Sequence, residues 1–346
     1  MKALTAVLRE VEQEPVVLEN RVLVLPHGGR VMGLSVDGDM NTHWVNPALG
    51  SVASAAELLS DPGWANLGGD RTWISPELET HIADPARFAD TYEVPKAVDP
   101  AEYRITEQDD RSISLSTDMQ LEFKQSGVTV DLKLSKSVSL LDEPPLELPE
   151  GVDWAGYAMH TRLESDALPA NVFPAAWHIL QVPGGGRIIL PVHPGAQPRA
   201  FIGDPVYRDE GDAITCDVDT AQSFKFSLHA RDCTGLLIYL QLDADQPYML
   251  IRKLSVLDED LYTDVPCDDL SDTGYVEQVY VDDGGFGGFG ELEYHTTALG
   301  KHAAKAVSDA NMVWALTGDA ASLSMVLDDF REASGDRPPA IDRQKG

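Results

Sequence analysis

The chain has 346 residues, long enough to bury a large core, and carries 57 Asp and Glu against 26 Lys and Arg, a formal charge of -31. An acidic surface of this kind repels nucleic acid and anionic membrane, because both need a basic patch that releases counterions; neither is expected as a partner. No run of about 18 apolar residues is present, which argues against a membrane-spanning helix, and the early charges in Met1–Glu10 do not suit a secretory signal, so a cytoplasmic protein is expected.

Along the chain, Ser51 is placed to cap a short helix through Ala55–Leu59 that stops at Asp61-Pro62-Gly63. The stretch from Gly68 to Glu77, Gly-Gly-Asp-Arg-Thr-Trp-Ile-Ser-Pro-Glu, is chemically dense. Two glycines permit positive φ and close backbone approach. Arg71 offers a planar fork of donors for hydroxyls or a carboxylate, and Trp73 offers an apolar plane on which a sugar ring can lie. Asp70 and Glu77 flank them; the alternative is a tight turn whose Arg and Asp staple two strands.

Segments 112–116 and 128–136 alternate polar and apolar residues, as half-buried strands do. The Pro-containing segment 141–149 reads as a long surface loop. Segments 154–163, 187–190, 223–229 and 236–240 read as further strands, with His160 and Arg162 sharing a face of the first of these. The glycine-rich run 282–290 lacks the Lys-Ser/Thr of a phosphate loop and precedes a strand rather than a helix; it reads as a loop beside a cleft, with Phe286 and Phe289 turned to a ligand. Glu291 and Glu293 lie two apart on that strand and so face the same way. Asp319 is placed to cap a helix from Ala320 to about 333, with Leu323, Val326, Leu327 and Phe330 on one face. The tail 334–346 is expected to be disordered, leaving 1–333 as one domain. Period-two segments without alternating helices predict antiparallel sheets, an all-β fold.

Cys216, Cys233 and Cys267 are odd in number and lack close pairing, so they read as inert thiols rather than a disulfide framework or zinc site. No motif implies a metal or cofactor, although the scattered acids suit a calcium ion. The acidity itself reads as a solvated face or as adaptation to a salt-rich cytoplasm.

The 68–77 decapeptide resembles a signature of uncharacterised families related to the aldose 1-epimerases, the galactose mutarotase-like proteins. Residues 25–34 with Asp37-Gly38 and Trp44-Val45-Asn46-Pro47, then Ala176–Pro183, then Gly290–Tyr294 resemble further segments of those families in the same order. The resemblance implies a β-supersandwich and a sugar or oligosaccharide as ligand. It implies a mid-chain His as general acid and a late-strand Glu as general base, here His178 and Glu291 or Glu293, and makes Asp70, Arg71, Trp73 and Glu77 of the decapeptide substrate-binding candidates; His160, from its place on the 154–163 strand, is a further candidate. The Asn-His-x-x-Phe-Asn run around the catalytic His of true galactose mutarotases is missing. His178 also follows Trp177 on a strand, so only one of the two can line a cleft. Three classes stay open: a 1-epimerase-like isomerase, a non-catalytic carbohydrate-binding protein, and a polysaccharide lyase or glycoside hydrolase. The dearth of Lys and Arg disfavours action on uronic acids.

Overall fold

A computed structural model describes residues 1–219, 222–301 and 304–334. The expected disordered tail lies outside these residues beyond Ser334. The described residues form two large sheets, and every strand pairing is antiparallel. The nine-stranded sheet runs, in spatial order, Val16–Leu18, Val22–Leu25, Arg30–Leu34, Asp70–Ser75, Ala175–Pro183, Phe289–His295, Tyr275–Val281, Phe224–His229 and Arg199–Ile202. The ten-stranded sheet runs Arg208–Asp209, Ala213–Asp217, Arg187–Pro191, Leu236–Gln241, Tyr248–Lys253, Ala306–Thr317, Asp153–Glu164, Val128–Leu140, Ser112–Phe123 and Arg104–Gln108.

The two inner faces bury one continuous core. In the strand Val128–Leu140 the residues Val130, Leu132, Leu134, Val138 and Leu140 point inward, while Thr129, Asp131 and Lys133 face solvent. Each such alternation fixes register, because a slip by one residue would turn the apolar set outward. From the opposite sheet Leu180, Val182, Val279 and Leu292 complete that core.

Helices cover the outer faces. Val52–Ser60 is capped by the Ser51 hydroxyl, which accepts from the Ser54 N–H. Ala320–Ser334 is capped by Asp319, which accepts from the Ser322 N–H, and it lays Leu323, Val326 and Phe330 over Ile238, Met249 and Ile251. Lys2–Glu10 is a helix that the sequence reading did not expect; it packs Leu4 and Leu8 with Leu23, Leu25 and Met32. No helix is long and apolar enough to cross a membrane among the described residues. Cys216 and Cys233 are buried free thiols and Cys267 is a half-buried one.

The paired glycines ahead of the 70–75 strand have a clear cause. Gly68 and Gly69 both take positive φ, and a Cβ would meet the Trp44 carbonyl at 2.4 Å or the Val31 carbonyl at 2.5 Å. Glycine is required here for the strand to enter the sheet at this angle.

Candidate functional site

Residues on the outer face of the nine-stranded sheet, turned away from the other sheet, floor a cavity of about 630 Å³. Five neighbouring strands supply the floor: Arg71 and Trp73, then Trp177, then Glu291 and Glu293, then Tyr280, then Lys225. The short helix Glu77–Thr80 brings Glu77 to its side. Segments 62–64 and 88–100 and the glycine-rich loop with Phe286 and Phe289 form the walls. That loop is held by the Asp282 carboxylate, which accepts from the N–H groups of Gly284, Phe286 and Gly288.

The charged groups sit in two linked sets. Arg71 donates to Glu291 at 2.9 Å, and the Gln181 amide donates to the same oxygen at 2.8 Å. The Arg71 guanidinium lies 4.4 Å from the Trp73 ring centre, and this stacking adds to its ion pair in fixing the fork. The Lys225 ammonium lies 3.1 Å from both Glu77 and Glu293 and 4.2 Å from the Trp177 ring centre. The Trp177 indole N–H donates to Glu293 at 2.6 Å. Asp99, paired with Arg30, accepts from the indole N–H groups of Trp64 and Trp73 and so fixes both rings.

Burial decides the protonation of these groups. Glu293 is fully buried, and its Oε1 has no partner among the described residues. Desolvation pushes its carboxyl up to about 8; Lys225 opposes that shift, and Glu291 and Glu77 add to it. Glu77 is likewise raised by burial against the pull of Lys225. For Lys225, burial favours the neutral amine, but Glu293 and Glu77 outweigh it and hold the ammonium charged. One cation thus serves two carboxyl groups, and burial raises both of them toward the protonated form. Glu291, with its own guanidinium, completes a pair of carboxyl groups on one strand in unlike surroundings.

Residues 2–165, under half of the chain, match the Family of unknown function (DUF6786). No curated protein matches the chain. Among solved structures, the chain is similar to a protein provisionally assigned as an aldose 1-epimerase from Escherichia coli K12, at 11% identity over 88% of this chain and 99% of that one, with a TM-score of 0.47. It is also similar to a galactose mutarotase related enzyme from Lactobacillus acidophilus, at 9% identity over 89% and 97% of the two chains, TM-score 0.43. A GalM/aldose epimerase homologue from C. elegans gives 9% identity over 89% and 99%, TM-score 0.40. These likenesses carry no residue role to this chain.

Five of the residues singled out in the sequence line the cavity: Arg71, Trp73, Glu77, Glu291 and Glu293. Three lie elsewhere. His178 points from the opposite face of its strand into the space between the sheets, where its Nδ1 lies 3.1 Å from the Thr72 hydroxyl and its ring stacks on Tyr294 at 4.7 Å. Burial, helped by Arg252 and Lys136, holds its imidazole well below the usual range, so it stays neutral and has no route to a cavity ligand. Strand alternation gave the cavity to Trp177 instead. Asp70 also faces inward, accepting from the Tyr157 hydroxyl at 2.6 Å and from Arg252, a pairing that ties the two sheets. His160 is exposed on the outer face of the ten-stranded sheet, between Ser137 and Ala310.

Lys225, Trp177, Trp64, Gln181 and Asp99 complete the site and were not named as site residues from sequence. For Lys225 the available signal was its position between Phe224 and Phe226, which sets it on the face opposite the core. Among the described residues no group of three or more His, Cys, Asp or Glu is arranged to hold a metal ion.

Proposed function

We propose that the cavity binds a sugar and that Glu291 and Glu293 carry proton transfers at its anomeric centre, the chemistry of an aldose 1-epimerase. One arrangement carries this reading: two carboxyl groups share a strand and a cavity, Glu291 paired with a guanidinium and Glu293 buried beside an ammonium that it shares with Glu77, where desolvation raises its pKa. Aromatic rings around them suit the apolar C–H faces of a pyranose, and the Arg71 guanidinium, which lines the cavity, suits its hydroxyls.

Anomer exchange needs a base for the anomeric hydroxyl and an acid for the ring oxygen. Glu291 takes the proton from O1 as the carbonyl forms, the bond from C1 to the ring oxygen breaks, and Glu293 delivers its proton to that oxygen. Lys225, 3.1 Å away, neutralises the carboxylate that Glu293 becomes. Rotation about C1–C2 and the reverse transfers close the other anomer and restore both groups. The balance in protons is zero, so no cofactor is needed.

Polarimetry on freshly dissolved α-glucose and α-galactose tests this. Positioned acid–base groups typically contribute about 10²–10⁴-fold, so rotation should decay well ahead of the spontaneous rate. Glu291→Gln with Glu293→Gln should remove the acceleration, because amides keep the shape and cannot exchange the proton. A non-catalytic, binding-only reading is favoured by one observation, that no histidine lines the cavity among the described residues; sugar binding with an unchanged polarimeter trace would establish it.

A further inference from the structure

The cavity is built in two zones that differ in depth and chemistry. Its floor is charged and closed: Arg71, Lys225, Glu291 and Glu293 are all buried. Its rim is aromatic and open: Trp64, Phe88 and Tyr92 are half-buried, and Phe286 is 61% exposed. Monomeric proteins do present isolated apolar side chains, but here the exposed Phe286 stands on a loop fixed by three N–H bonds to Asp282. Trp64 is likewise fixed by its bond to Asp99. Rigid aromatics at the entrance of a polar cavity form a second contact surface for whatever projects from it.

Size points the same way. A hexose has twelve non-hydrogen atoms, and even at a full water volume of about 30 Å³ for each they occupy no more than roughly 360 Å³. The cavity holds about 630 Å³, so one hexose even on this generous measure leaves much of it open, and a second ring has room reaching from the cavity to its rim.

Resting on the acid–base reading above, we propose that the substrate is a reducing disaccharide or longer oligosaccharide, linked through O4 of its reducing-end pyranose. The chemistry at the floor needs a free anomeric hydroxyl there. C4 lies across the pyranose ring from C1, so with C1 at Glu291 and Glu293 a substituent on O4 leaves toward the rim. The next pyranose then meets Trp64 and Phe286 with its C–H faces. A sugar joined to its neighbour through C1 of the buried residue has no free anomeric hydroxyl and does not react.

Polarimetric KM values for glucose, maltose and cellobiose test the proposal. At least one disaccharide should show a KM lower than that of glucose by about tenfold, the scale of one good aromatic contact. Phe286→Ala, at an exposed position whose loss leaves the fold intact by circular dichroism, should bring the ratio of the glucose KM to the disaccharide KM close to one. Turnover of glucose with no preference for either disaccharide overturns the extension alone and leaves the acid–base reading standing. A ratio unchanged by Phe286→Ala overturns the rim as its cause. No acceleration with any of the three sugars overturns both.

Discussion

Replacing Glu293 by Gln isolates the buried proton on which the acid–base reading depends. In the folded protein the Glu293 carboxyl is raised from its ordinary 4.5 to about 8, first by desolvation and then by Glu291 and Glu77, against Lys225. A raised acid binds its proton more tightly when folded than when unfolded. Its favourable contribution is therefore full below 4.5 and is lost progressively as pH climbs to about 8. Gln is neutral in both states and carries no such dependence. Each pH unit inside the window is worth about 1.4 kcal/mol, so between about pH 5.5 and about pH 7 the native protein should lose roughly 2 kcal/mol relative to Glu293→Gln. Lys225 retains Glu77 as its partner in the variant, which limits collateral damage. Urea titrations of both proteins, followed by circular dichroism at several pH values, read the difference. With a slope of about 3 kcal/mol/M for a chain of this size, the gap between midpoints should move by about 0.7 M in favour of the variant as pH rises. A gap that stays constant with pH would mean that Glu293 is ionised throughout, as the other half of a plain ion pair with Lys225, and the acid role would fall.

Lys225→Met should be costly, because it leaves Glu77 and Glu293 buried without their cation; removing one member of a buried pair costs about 3–5 kcal/mol. Protonation relieves the two carboxyl groups, so the drop in melting temperature relative to the native protein should be larger at pH 8 than at pH 5, and a drop independent of pH would refute the shared-cation account. His178→Asn should lower the melting temperature through loss of its stacking on Tyr294, while the pH profile of kcat/KM keeps its native shape; a lost or shifted limb in that profile would return His178 to the catalytic machinery.

The strands were legible where one face of a sheet meets solvent. The stretch 128–136 alternates in sequence and does so again in burial, and Glu291 and Glu293 could be assigned to one face from spacing alone. The caps at Ser51 and Asp319 likewise announce their helices, since a hydroxyl or carboxylate there satisfies an otherwise orphaned N–H. Lys2–Glu10 has no such signal, because its N-cap is Met1 and makes no side-chain bond; its packing on Leu23 and Met32 and the contacts of Met1 and Lys2 with Asp39 hold it in place. The choice of face was illegible for the central strands. Asp70–Ser75 is buried at every position, as is Ala175–Val182, because the nine-stranded sheet is covered on both sides. A sheet so covered loses the polar–apolar alternation that tells inside from outside. Thus the sequence showed that Trp177 and His178 must part company and left open which of them lines the cavity.

That double burial also explains how one short strand serves two purposes. Asp70 and Arg71 are neighbours in the chain, a pairing that suggests a local staple, yet alternation sends them to opposite sides of the sheet. Asp70 goes inward to Arg252 and Tyr157 of the facing sheet, and Arg71 goes outward to Glu291 two strands away. A lone buried charge on either side would be expensive, so each pairing fixes the register of the same strand from its own face. Sliding the strand by one residue would strand Arg71 in the core and Asp70 in the cavity, breaking both ion pairs at once. The position of the guanidinium beside Glu291 is therefore set by the fold itself rather than by the flexible reach of a surface side chain. Such rigidity is what a proton-transfer site requires, since groups that must act in concert lose effectiveness when displaced by about 1 Å.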